Sequence, residues 1–235
     1  MYHVVWIEGY TDYDMSYFVY NHRDRDEPLI EELILGCGNW VERLGNRIWV
    51  FDMGYWQQDA NLWRSMQKAN WADIILPQEL KDGVVRDFVD FFNGKETYAG
   101  MGVPWKRGLI LYGPPGNGKT ITLKALMKQL GGREDPIPTL YVKSFFSYRG
   151  DQYAIREISQ KARQQSPCML ILEDMDSLIT GGNRSVFLNE LDGLEDNEGL
   201  LLVGNTNHAD SLDPGISKRP SRFDRKYLFD DPSKP

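Results

Sequence analysis

The chain has 235 residues, of which 41% are hydrophobic and 26% charged, with a formal net charge of -7 and a pI of about 5.1. That length holds one large domain, or one domain with a smaller companion, and the apolar share suffices for a packed core, which excludes wholesale disorder. The acidic balance argues against a broad electrostatic footprint for nucleic acid, no apolar run reaches the ~18 residues of a membrane span, and the N-terminus lacks the basic-then-apolar order of a secretory signal. Cys37 and Cys168 sit in apolar runs and read as buried free thiols of a reducing, intracellular compartment. His3, His22 and His208 are scattered and form no zinc spacing.

In chain order, residues 1–68 read as a small aromatic-rich α+β domain, because six of the seven Trp lie before residue 72. Residues 2–7 and 15–20 have strand character, and the turn-rich segment 9–14 would join them as a hairpin. Asp26, Glu27 and Pro28 mark a helix start. Ile30, Leu33, Ile34, Cys37, Trp40, Val41 and Leu44 keep helical spacing, weakened by Gly36 and Gly38. Residues 47–51 form another strand candidate. The aromatics are read as core, with an aromatic cofactor or peptide box as the alternative.

Residues 69–107 connect this part to the next. The run 71–77 is extended up to Pro77; Leu80, Val84, Phe88 and Phe91 recur on one helix face; Gly100, Gly102 and Pro104 break the chain. From there strands and helices alternate. Residues 108–112 form an apolar strand, Leu123, Leu126, Met127 and Leu130 a helix face, and 139–143 a strand. Ile155, Ile158 and Ala162 mark a helix ended by Pro167, and 168–172 is the most apolar run of the chain. Phe187, Leu188, Leu191 and Leu194 mark a further helix, 199–203 a strand, Asp213-Pro214 a short helix and 225–229 a last strand. This order predicts an α/β domain over 69–235: a five-stranded parallel sheet with helices on both faces and a ligand at the strands' C-terminal ends.

The chemistry is concentrated at Gly113-Pro-Pro-Gly-Asn-Gly-Lys-Thr120, between the strand 108–112 and the following helix. It has the form of the phosphate-binding loop: glycines let backbone N–H groups curl toward phosphate oxygens at a helix N-terminus, Lys119 reaches the β- and γ-phosphates, and the Thr120 hydroxyl serves Mg²⁺. The strand 168–172 delivers Glu173, Asp174 and Asp176 beside that loop, where one acid holds Mg²⁺ and another orients or deprotonates the attacking water. Asn205 and Asn207 end the next strand, where an amide could bond the water or the γ-phosphate. Arg219 and Arg222 have two readings of equal weight: guanidinium groups reaching a neighbour's γ-phosphate, or a surface ion-pair cluster with Asp224.

Taken together, 113–120, 170–176, 188–193, 204–207 and 219–225 resemble, in order and spacing, the AAA family of ATPases over roughly residues 70–235. The look is nearest the mitochondrial respiratory-complex assembly chaperones that translocate the Rieske protein, and their fungal relatives. The marks are the Glu173-Asp174 order, the run 102–112 and a small domain upstream. The resemblance implies a Walker A loop of Gly113, Pro114, Pro115, Gly116, Asn117, Gly118, Lys119 and Thr120, with Ile121 completing the nucleotide contacts. It puts Glu173 at the Mg²⁺-associated acid, Asp174 at the catalytic acid in an order inverted from the usual Asp-Glu, and Asn207 at the polar sensor. Arg219 and Arg222 match arginine fingers acting in trans, hence a homo-oligomeric ring, a hexamer or heptamer, with ATP at each interface. Tyr148-Arg-Gly150 stands where an aromatic pore loop is common. The implied activity is Mg²⁺-dependent ATP hydrolysis coupled to remodelling, translocation or assembly of a protein substrate, with an ATP-gated scaffold of little turnover as alternative and a mitochondrial setting. The family's helical lid is absent from a sequence that stops at Pro235, so the expectation is a fragment without lid or anchor.

Overall fold

A computed structural model describes residues 45–192, 197–208, 213–217 and 222–231, the backbone of 2–6 and 17–21, and residues 32, 35 and 36. The chain divides into two compact units, residues 1–45 and 46–235. In the first, β1 (Tyr2–Trp6) pairs antiparallel with β2 (Tyr17–Asn21), from Tyr2 opposite Asn21 to Trp6 opposite Tyr17, as the hairpin reading expects. The helix read over 26–44 lies outside the described residues, apart from Glu32, Leu35 and Gly36.

The second unit is built on a seven-stranded sheet in the order β4-β3-β6-β7-β8-β5-β9. Its members are β3 (Ile48–Asp52), β4 (Tyr55–Asp59), β5 (Lys106–Tyr112), β6 (Thr139–Val142), β7 (Cys168–Leu172), β8 (Leu200–Thr206) and β9 (Arg225–Leu228). The five strands read from sequence are present and parallel, as expected. Two more extend them: β3 adds parallel to β6, and β4 folds back antiparallel through a two-residue turn in which Met53 and Gly54 both have positive φ. This corrects the domain boundary placed at 68/69. Residues 46–68 belong with the seven-stranded sheet, in which β3 buries Ile48, Val50 and Phe51.

Helices α1 (Ala60–Gln67), α2 (Gln78–Asn93), α3 (Lys95–Met101), α4 (Lys119–Gly131), α5 (Asp151–Gln164), α6 (Met175–Leu178), α7 (Arg184–Asp192) and α8 (Pro214–Ser217) connect the strands. Both faces of the sheet are covered, and strand alternation shows how. Met169, Ile171, Leu201, Val203, Leu109 and Leu111 point into one core with Phe88 and Phe91 of α2 and Leu123, Leu126 and Met127 of α4. Leu170 and Leu200 point the other way, toward Ile155 and Ile158 of α5 and Phe187 of α7. Every residue of β7 is buried, so the chain cannot turn polar until the strand ends at Leu172. That is why the acids come together at the sheet's C-terminal rim. Trp49 is buried and Trp63 and Trp71 pack on the same core, in line with the core reading of the aromatics. Among the described residues, no helix is long and apolar enough to cross a membrane.

Candidate active site

The loop between β5 and α4 is shaped by its glycines. Gly113 has φ +140 and lies against the backbone after β9, where an added Cβ would stand 2.2 Å from the Phe229 carbonyl oxygen. Gly116 has φ +86 and open space in front of it, with nothing within 4 Å of the Cβ position. The first glycine seats the loop on the sheet; the second leaves a vacancy on the side where a phosphate would approach. Asn117 ties the loop down by donating from Nδ2 to the Phe229 carbonyl at 3.2 Å and to Asp231 at 3.0 Å. Lys119, the first residue of α4, is buried and folds its ammonium onto the carbonyls of Gly113 and Pro114, at 2.6 and 2.7 Å. Burial pulls its pKa below the ordinary lysine range, and the Asp174 charge partly offsets this. Pro115, Gly116 and Thr120 are exposed, whereas Pro114, Gly118 and Ile121 are half-buried.

Opposite the loop, Glu173 and Asp174 follow the end of β7. The Thr120 hydroxyl donates to Glu173 Oε1 at 3.3 Å, and the Tyr141 hydroxyl of β6 donates to Glu173 Oε2. Burial pushes the Glu173 carboxyl above its usual range, the Asp174 charge pushes it further, and bonds from Thr120 and Asn205 with the Lys124 charge pull it back. Asp174 is exposed and adopts a left-handed backbone with φ 51 and ψ 55, so its side chain leaves the strand line toward the loop side. Its N–H donates to Asn205 Oδ1 at 2.7 Å, and the Thr206 hydroxyl donates to Asp176 at 2.6 Å.

The structure thus brings the loop residues, Glu173 and Asp174 together. Asn207 follows directly on β8, half-buried at the same rim. Arg219 lies outside the described residues. Arg222 is held within its own chain: Nε and the terminal nitrogens bond Asp192 at 2.7 and 2.6 Å and the Gly215 carbonyl. The ion-pair reading therefore has the wrong partner, because Asp224 pairs with Arg107 at 3.0 Å, drawn there by the β5–β9 pairing. Tyr148 is 78% exposed and meets the half-exposed Phe146 edge-on at 5.6 Å. Sequence reasoning missed Tyr141, which looked like any strand residue; its signal was a hydroxyl one strand away from the acid pair. It offered Asn205, like Asn207, only a bond to the water or the γ-phosphate, whereas the structure sets its side chain on the Asp174 N–H.

A cavity of about 1010 Å³ opens at the other end of the sheet, at the starts of β5 and β9. Its Arg107, Asp87 and Arg225 are paired with one another, and it is remote from the loop.

The donors present fit a magnesium nucleotide. Gly116 leaves an open cradle at the N-terminus of a 13-residue helix. Thr120 and Glu173 offer hard oxygens. Such a pair suits an ion held mainly by phosphates and water with one or two protein oxygens. A parallel sheet with this loop after β5 and the acids after β7, one strand (β8) between them, defines a P-loop nucleotide hydrolase. A family model for the ATPase family associated with various cellular activities (AAA) matches residues 109–231. The chain belongs to that AAA family, and its site is that of an ATP hydrolase. It is similar to the ATPase family gene 2 protein of Saccharomyces cerevisiae, 35% identical over 181 residues, covering 71% of this chain and 22% of that protein. It is also similar to the ATP-dependent zinc metalloprotease FtsH of Acaryochloris marina, 32% identical over 69% of this chain and 27% of that protein. The FtsH of Halothermothrix orenii is 28% identical over 77% of this chain and 30% of its own length. The chain therefore spans about a quarter of the length of these relatives.

Proposed function

We propose that the domain hydrolyses Mg²⁺-ATP within a homo-oligomeric ring inside the cell and couples turnover to remodelling, translocation or assembly of a protein substrate. The observation that carries the hydrolytic part is the contact of Thr120 with Glu173 across the P-loop, at 3.3 Å. Two oxygens there are ready to share one divalent ion, and such an ion neutralises charge developing on the phosphates. In this reading Gly116, Gly118 and their neighbours cradle phosphate through backbone N–H groups. Lys119 leaves the carbonyls of Gly113 and Pro114 for the β- and γ-phosphates. Glu173, half-buried and bonded by Tyr141 and Thr120, holds the metal side. Asp174, exposed beside it, orients the attacking water and takes its proton. Asn207 bonds the water or the γ-phosphate, and Arg219 and Arg222 of one subunit stabilise charge at a neighbour's site. The exposed pair Phe146 and Tyr148 suits contact with a protein chain.

The scaffold reading keeps one supporting observation. Arg222 is engaged by Asp192 of its own chain, which leaves a lone subunit without that arginine in trans. ATP turnover per subunit, measured against protein concentration with Lys119→Ala and Arg222→Ala alongside, separates the two. Turnover that rises with concentration and is lost in both variants supports the ring hydrolase. Tight ATP binding without turnover at any concentration supports the scaffold, and binding untouched by Lys119→Ala refutes both.

A further inference from the structure

We infer that Asn205 is the positioning residue of the acid pair: its side-chain amide clamps the turn at Glu173 and Asp174 so that both carboxylates face the P-loop. The inference rests on the proposed roles of those two acids. In the β7–β8 ladder Leu172 lies opposite Gly204, which brings Asn205 level with Glu173 at the rim. Asn205 is 2% exposed. Its Oδ1 accepts the Asp174 N–H at 2.7 Å, and its amide is near enough to the Glu173 carboxyl to favour the ionised form. One side chain thus holds the backbone of one acid and faces the carboxylate of the other.

The turn needs such a hold. Asp174 is not glycine, yet it has φ 51 and ψ 55, in the left-handed region. Asp visits that region more readily than most residues with a Cβ, but the shape is still uncommon and is kept where local bonds favour it. With an extended backbone at 174, the chain would continue the β7 line and carry the carboxylate away from Lys119 and Thr120. The other residues of β8 from Leu200 to Val203 are apolar, so burial alone at 205 would have been met by an aliphatic side chain. A buried amide is costly unless both its ends are bonded. Here the oxygen holds the Asp174 N–H, and the amide lies beside the Glu173 carboxyl. Asn205 itself acts through them and touches no substrate.

The test uses the full chain with Asn205→Ala and Asn205→Thr, the second keeping an oxygen for the Asp174 N–H in case the first does not fold. Hydrogen exchange of the ligand-free chain, read over the peptide 172–178, is expected to lose about 10-fold or more protection at the Asp174 amide, with β5 unchanged. Turnover is expected to fall about 10- to 100-fold in kcat, with KM for ATP within about two-fold, because the loss is confined to the step the acids serve. In an Asp174→Asn background the added loss from Asn205→Ala should shrink to under about two-fold, the mark of a residue acting through its partner. Unchanged exchange at Asp174, a raised KM with intact kcat, or equal losses in both backgrounds would overturn the inference. If Asp174→Asn alone left turnover intact, the assignment of the acids would fail instead. If Asp174→Asn abolished turnover while Asn205→Ala left kcat unchanged, only the positioning role would fall.

Discussion

Gly113 and Gly116 share the P-loop and a positive φ, yet replacing each with alanine should damage different properties. At Gly116 the methyl meets nothing within 4 Å, so the only folding cost is the left-handed backbone, about 1–2 kcal/mol. At about 3 °C per kcal/mol for a domain of this size, the melting temperature should fall about 3–6 °C. The methyl would nonetheless stand in the open side of the cradle and hold phosphate away from the backbone N–H groups. Nucleotide affinity should therefore drop about ten-fold or more, equivalent to at least about 1.4 kcal/mol. At Gly113 the same methyl would lie 2.2 Å from the Phe229 carbonyl, an overlap of backbone with backbone that no rotamer relieves. Overpacking adds about 1–3 kcal/mol to the strain, so this variant should melt about 6–15 °C lower than the parent. Thermal melting and titration with a fluorescent non-hydrolysable ATP analogue read the two properties separately. Parental affinity in Gly116→Ala, or a Gly113→Ala chain no less stable than Gly116→Ala, would refute this division of labour.

Three further outcomes can be checked. Because burial and the Asp174 charge raise Glu173, its ionised form is lost at a higher pH than for an ordinary carboxylate. Turnover should accordingly fall on acidification from above the usual carboxylate range, and Lys124→Met, which removes a charge that favours the anion, should move that limb to higher pH; a limb that moves down contradicts the assignment. Burial pushes the Cys168 thiol up to about 12, so in a Cys37→Ser chain native protein at pH 8 should resist iodoacetamide for hours and react within minutes in urea. Rapid labelling of the native chain would contradict the buried placement. Asp192→Ala should destabilise the domain by about 1–2 kcal/mol in denaturant melts, because it leaves the buried Arg222 guanidinium with only the Gly215 carbonyl, and Arg222→Ala should destabilise it by losing both contacts. Only the arginine variant should also abolish concentration-dependent turnover, and equal activity losses in both would reduce Arg222 to a structural anchor.

Strands β5, β6, β7 and β8 were legible because each is a short, largely buried apolar run, with β7 the clearest. The P-loop was legible because its glycines are spaced by the phosphate they serve. The edge was not. In β4 the sequence Tyr-Trp-Gln-Gln-Asp is half polar, as an antiparallel edge strand permits, and its link to β3 lay in Met53 and Gly54, of which Met53 gives no turn signal. Without β4, the strand β3 read as part of a separate aromatic domain. Helix α3 was hidden by Gly100 and Gly102, yet Gly102 serves it as a left-handed C-cap. Arg222 was legible as a functional residue and illegible as to partner, since Asp192 lies thirty positions away and only the fold brings the end of α7 beside Arg222. Asn205 looked like a polar strand end, and its role depends on the β7–β8 register.

The inverted order of the two acids becomes intelligible from where the strand delivers them. Position 173 is one residue past β7, level with Thr120 and inside reach of Tyr141, and half-buried. A carboxylate there is fixed from two sides, as suits holding an ion, and the longer Glu side chain still reaches the Thr120 hydroxyl from the strand end. Position 174 is exposed, turned out of the strand by its left-handed backbone, and close enough to Lys119 for its charge to act on that ammonium. A carboxylate there has solvent access and a cationic neighbour, as suits a group that must accept a proton and release it again. In the proposed mechanism, then, position along the turn assigns the roles and the identity of the acid adjusts reach: Glu where the distance is long, Asp where the turn has already moved the backbone toward the loop.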